Sequence, residues 1–116
     1  MLLTLPTPPS TNNLFVNVKG RGRVKTDRYR SWLRAAGNEL RAQKPRKVAG
    51  PVAVSIEVGP DKRRDLDNYS KAVLDLLVMC GAIDDDSNVM DLRLGKRDRD
   101  NGTVLVMVGK FDVETA

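Results

Sequence analysis

Between Val52 and Val58 the chain alternates, with Val52, Val54, Ile56 and Val58 on one side and Ala53, Ser55 and Glu57 on the other. A period of two places these sets on opposite faces of an extended segment, which predicts a strand with one face in a core. A longer period governs Tyr29, Trp32, Leu33, Ala36 and Leu40, which recur along one helical face. Thr26 and Asp27 are good starting residues, so a helix is expected from there to about Gln43. The same period returns at Ala72, Val73, Leu76, Leu77 and Cys80. It predicts a second helix from about Asp67 to Cys80, with Asp67 suited to its N-cap and Gly81 to its stop. Leu74 and Val78 lie beside that stripe, as extra core or as a subunit contact.

Shorter signals fill in the rest. Leu2 to Leu5 reads as a strand ended by Pro6, Pro8 and Pro9, which lack amide donors for a sheet ladder. Phe15, Val16 and Val18 give a weaker extended signal before the glycine-punctuated basic turn Lys19-Gly20-Arg21-Gly22-Arg23. Two more strands are expected around Val89–Gly95 and Thr103–Val108, with Asn101-Gly102 between them as a hairpin turn. The order predicts a single α+β domain across residues 1–116, two helices packed on a mixed or antiparallel sheet of about four to five strands.

Composition narrows the chemistry. No apolar run approaches the roughly 18 residues needed to span a bilayer, and the amino-terminal stretch lacks the pattern of a secretory leader. A cytoplasmic protein with no membrane partner is expected. The single cysteine, Cys80, cannot form an intramolecular disulfide, and the absence of histidine removes the usual Cys-His zinc patterns. Carboxylates, lysines or hydroxyls must carry any catalysis. The net charge of +5 is unevenly spread: 14 Lys and Arg face 4 Asp and Glu before residue 65, against 6 and 11 from there on. A basic half attracts phosphates, whereas a compact acidic cluster repels them unless cations neutralise it. The candidate phosphate contacts are Lys19, Arg21, Arg23 and Lys25 in the turn, Arg30 and Arg34 (with Arg41) on the first helix, and Lys62, Arg63 and Arg64. Each reads equally as solvated surface.

The acidic cluster comprises Asp65-Leu66-Asp67-Asn68 and, about twenty residues on, Asp84-Asp85-Asp86. Asn68, Lys71 and Asp75 fall on one face of the second helix, opposite its apolar stripe. Several carboxylates in one place raise each other's pKa, so a folded site implies water or divalent cations. Magnesium prefers oxygen ligands and supports phosphodiester hydrolysis, while a neighbouring lysine, here Lys71, would neutralise the phosphate. Taken singly, Asp67 reads as a cap, Asp84–Asp86 as a solvated turn and Lys71 as surface.

The run Arg63-Arg64-Asp65-Leu66-Asp67-Asn68, then Lys71 and Asp75, then Gly81 and Asp85-Asp86, resembles the RusA family of Holliday junction resolvases. The opening Leu5-Pro6-Thr7-Pro8-Pro9-Ser10, followed by Asn12 and Asn13, is similar to that family's as well. The resemblance implies that Asp65, Asp67 and Asp86 are the essential metal-binding acids, Asp85 an auxiliary metal ligand and Lys71 the essential lysine. It implies a magnesium-dependent homodimer that resolves four-way DNA junctions by paired symmetric nicks in recombination and repair, and it leaves open whether manganese can replace magnesium. A phage or prophage origin is expected on the same ground. Asp84 departs from the family pattern by adding a third acid, which leaves open a ligand shifted by one position. Two other readings are a related nuclease for flaps, forks and other branched DNA, and a non-catalytic dimeric DNA-binding accessory protein.

Overall fold

The computed structural model describes residues 1–112. Its strands are β1 (Leu2–Pro6), β2 (Phe15–Val18), β3 (Gly22–Lys25), β4 (Val52–Val58), β5 (Val89–Lys96) and β6 (Thr103–Lys110). Its helices are α1 (Asp27–Ala42) and α2 (Ser70–Met79). Single 3-10 turns occupy Thr11–Asn13, Leu66–Asn68 and Asp86–Asn88. Four strands form one mixed sheet in the order β1-β6-β4-β5, and β2-β3 is a separate hairpin. The expected α+β class stands. Among the described residues no helix is long and apolar enough to cross a membrane.

The core lies between one face of the sheet and the two helices. Val52, Val54, Ile56 and Val58 are all buried, as their alternation requires, and meet Leu3, Leu5, Val104, Val106 and Val108 from the neighbouring strands. Tyr29, Trp32, Leu33, Ala36 and Leu40 of α1 and Ala72, Val73, Leu76 and Leu77 of α2 complete it. Thr26 caps α1 by accepting the Tyr29 amide at 3.1 Å. At the far end of α1 the Gln43 side chain accepts from the Thr4 amide and donates to the Thr4 carbonyl, both at 2.8 Å. That amide fork occupies part of the outer edge of β1, which would otherwise stay open to another strand.

Two expectations are corrected. The first concerns β5 and β6, which do not form a hairpin about Asn101-Gly102. β4 separates them, running parallel to β5 and antiparallel to β6. The wholly apolar face of β4 is better buried between two neighbours than at an edge, and α2 supplies the crossover that a parallel pair needs. Residues 97–102 instead pass over the end of β4, where a Cβ on Gly59 would stand 2.2 Å from Asn101 Oδ1 and 2.6 Å from the Asp100 carbonyl. Asp100 closes the turn by accepting the amides of Gly102 (2.8 Å) and Thr103 (2.9 Å).

The second correction is at the start of α2. The helix begins at Ser70, not near Asp67, and ends at Met79 with Cys80 as its C-cap, still packed against the core. Leu66–Asn68 forms a separate 3-10 turn, so Asp67 is not the N-cap. The carboxyl end follows expectation. Gly81 has φ +74, its amide donates to Val78, and the Ala82 amide donates to Leu77, the paired bonds of a Schellman stop. The basic turn is the tip of a hairpin whose second strand, β3, has too little apolar character to register in the sequence pattern.

Candidate active site

Both ends of α2 carry acids, and different forces hold them. Ahead of the helix, Asp65 and Asp67 stand exposed on the turn Leu66–Asn68. Arg64 organises this turn from inside. Its guanidinium lies 3.8 Å over the Tyr69 ring and donates to the Pro8 carbonyl (2.7 Å) and the Asn68 carbonyl (2.8 Å). Burial lowers the Arg64 pKa, yet the group stays a cation stacked on an aromatic face. The side chain therefore fastens the proline-rich amino-terminal loop to the acidic turn, a position unlike the open basic surface expected of it. Lys62 and Arg63 next to it are exposed, with Arg63 paired loosely to Asp61 at 3.5 Å.

Beyond the helix, the three consecutive acids are distinguished by their partners. Asp84 forms an ion pair with Lys47, where Val48 of the linker between α1 and β4 zips onto Ile83. Lys47 holds the Asp84 carboxyl below its usual pKa. The question of a ligand shifted to Asp84 is thereby narrowed, since this side chain turns towards the linker. Asp85 accepts the Ser87 amide at 3.1 Å and caps the turn Asp86–Asn88. That bond, then contact with Asp86, lowers the Asp85 pKa. The Asp86 pKa moves up, first through the hydrogen bond shared with Asp85 and then through partial desolvation. Nearby Lys71 opposes this rise and nearby Asp75 adds to it.

Asp85 and Asp86 line a cavity of about 320 Å³ with Asp75 of α2, Tyr29 of α1 and Lys25 of β3. Lys71 pairs with Asp75 Oδ1 at 3.2 Å. The Tyr29 hydroxyl donates to Asp75 Oδ2 at 2.8 Å. Burial first, then the bond to Asp75 and its negative charge, push the Tyr29 phenol well above its ordinary pKa, so it keeps the proton it donates. Sequence periodicity assigned Tyr29 to the core and left this bond unseen. The only signal was a tyrosine where phenylalanine would fill the same stripe.

The predicted acids thus gather in two groups at the ends of one helix, with Asp85 and Asp86 sharing the cavity that Asp65 and Asp67 do not line. Among the described residues no three acidic or cysteine side chains converge closely enough to hold a metal ion. The donor set is nevertheless all oxygen, and the Asp85–Asp86 pair, whose neighbouring carboxylates push the Asp86 pKa up, is the kind of carboxylate contact that a divalent cation relieves.

The basic candidates divide similarly. Lys19 and Arg21 occupy the exposed hairpin tip, while Arg23 lies 4.0 Å over the Phe15 ring. Arg30 is bonded locally, to the Lys25 carbonyl and the Asp27 carboxylate. Arg34 is exposed on α1.

The chain matches the family model described as Endodeoxyribonuclease RusA over residues 6–109. The crossover junction endodeoxyribonuclease RusA of Escherichia coli is 38% identical over 96 residues, covering 81% of this chain and 80% of that protein. Its counterparts from Shigella sonnei and Enterobacteria phage 82 are each 35% identical, with the same shares covered. Since the match takes in both acidic turns and the helix between them, the chain belongs to the RusA endodeoxyribonuclease family.

Proposed function

We propose that this protein is a structure-selective endodeoxyribonuclease that resolves four-way DNA junctions. The observation that carries the reading is the placement of Asp65 and Asp67 before α2 and Asp86 after it, with Lys71 on the helix beside Asp75 and Asp86. The names of its relatives, crossover junction endodeoxyribonucleases, support junctions as the substrate.

Asp65, Asp67 and Asp86, with Asp85 assisting, are the oxygen donors this reading assigns to magnesium, although they stand in two groups in this structure, and manganese shares the preference for oxygen donors. When bound, the ion supplies Lewis-acid charge and makes water more acidic. Lys71 neutralises charge on the scissile phosphate. Lys19, Arg21, Arg23 and Lys25 of the hairpin, Arg30 and Arg34 of α1, and Lys62 and Arg63 supply positive charge for the phosphate backbone, while Arg64 acts through the turn it fastens. Symmetric cuts in two strands require two such sites, which a two-fold homodimer provides. The setting is the cytoplasm of a bacterial or phage-infected cell.

The test is cleavage of a labelled four-way junction beside a linear duplex of the same sequence, with magnesium or EDTA, and with wild type or Asp65→Asn. Paired nicks confined to the junction, and lost with EDTA or the variant, are expected. Equal cutting of the duplex would indicate a general nuclease. Binding without cutting in magnesium would remove the enzymatic reading.

A further inference from the structure

The Lys71–Asp75 pair contributes little as an isolated contact. It is an i, i+4 pair on a helix face with the lysine first, the weaker order, and the ammonium is about half exposed. A free surface lysine samples many rotamers, which suits solubility but not the placing of a charge on one phosphate oxygen. Asp75 differs from a free surface carboxylate, because its second oxygen is bonded to the hydroxyl of Tyr29. Tyr29 is fully buried, set edge-on to Phe15 with ring centroids 5.7 Å apart and stacked on Trp32 at 6.4 Å. Its hydroxyl cannot move without disturbing the core. A rigid element of α1 thereby fixes a carboxylate of α2, and that carboxylate holds the ammonium on its remaining oxygen. Tyr29 and Asp75 line the cavity that Asp86 lines, and the Lys71 ammonium paired to Asp75 is near enough to oppose the rise of the Asp86 pKa.

We infer that Tyr29 and Asp75 are positioning residues that hold the Lys71 ammonium beside Asp86, through the hydrogen bond from the Tyr29 hydroxyl to Asp75 and the ion pair from Asp75 to Lys71. This rests on the junction-cleaving reading for its effect on rate, but the placement of the ammonium can be measured without it. The relay implies that Tyr29→Phe, which deletes one oxygen and keeps the ring, acts on cleavage while leaving the packing of α1 in place.

The experiment compares wild type, Tyr29→Phe, Asp75→Asn and the double variant in two readouts. In single-turnover cleavage of a four-way junction at saturating magnesium, Tyr29→Phe should slow the rate about tenfold and Asp75→Asn up to about a hundredfold. Junction affinity measured without metal should stay within about twofold, because the phosphate-binding basic residues are untouched. In the double variant the loss should equal that of Asp75→Asn alone, since the phenol acts only through the carboxylate. The second readout is the mobility of the Lys71 ammonium by lysine-selective 15N NMR, which should rise in both single variants whose melting curves show them folded. Wild-type cleavage by Tyr29→Phe, additive losses, or an unchanged Lys71 signal would each overturn the relay. Wild-type protein that cuts no junction would instead defeat the proposed function, and the NMR comparison would still decide the relay.

Discussion

The turns at the two ends of α2 carry the acids by opposite means. At Leu66–Asn68 a half-buried cation does the organising. Arg64 bonds only backbone carbonyls and stacks on Tyr69, so the Asp65 and Asp67 side chains are left facing solvent. At Asp84–Asn88 the carboxylates do the organising themselves, Asp84 through Lys47 and Asp85 through the Ser87 amide, and of the two that line the cavity, Asp85 and Asp86, only Asp85 also caps the turn. A run of identical residues can therefore make three different sets of contacts, whereas two acids separated by a leucine are both simply exposed. Identity of residue type says less than what each oxygen already bonds.

Substitutions can break that comparison, and the largest effect is expected where an acid has no structural task. Asp65→Asn and Asp86→Asn should each lower junction cleavage by at least about a hundredfold, measured at saturating magnesium, with the melting temperature nearly unchanged. Arg64→Met should act in the reverse order. With the Pro8 and Asn68 carbonyls left unpaired, stability should fall by about 1–3 kcal/mol in urea unfolding, and cleavage should follow because the first turn loses its anchor. A stable, fully active Arg64→Met protein would show that the turn holds itself.

Within the triplet, Asp84→Asn should leave cleavage within about twofold of wild type, in contrast to its neighbour two positions on. The smallest effect concerns acid. Lys47 lowers the Asp84 pKa in the folded protein, so this pair favours folding above the ordinary carboxylate range, and the contribution disappears as pH falls through the lowered value. Lys47→Met should move the Asp84 titration, followed by 13C NMR, up towards that range, with little change in melting near neutral pH.

How far the sequence foretold this arrangement depends on what each residue's pattern encodes. Periodicity encodes which face of an element is buried, and so the bounds of β4 and the stripe of α1 follow from Val52–Val58 and Tyr29–Leu40. It does not encode which strand lies next to which. Asn101-Gly102 has the chemistry of a hairpin turn, yet β4 stands between the strands it joins. Nor does composition reveal that one arginine of Lys62-Arg63-Arg64 turns inward, since that depends on Pro8 and Tyr69 being brought beside it by the fold. The acids themselves stood out as candidates through spacing and family resemblance. Their division of labour was not, because Lys47 is far from Asp84 in sequence and Tyr29 far from Asp75.

The amide fork of Gln43 bears on the order in which the chain is made. Of the described strands β1 is synthesised first and its sheet partner β6, where Val106 stands opposite Leu3, last. Until β6 leaves the ribosome, β1 is an unpaired apolar strand of the kind that finds other nascent chains. α1 emerges much sooner, and it carries both Gln43, which bonds Thr4 twice, and Trp32, whose indole donates to the Pro6 carbonyl at 3.0 Å. The first helix can thus act as a temporary sheet neighbour, keeping the earliest strand with its own chain until its permanent partner has been translated.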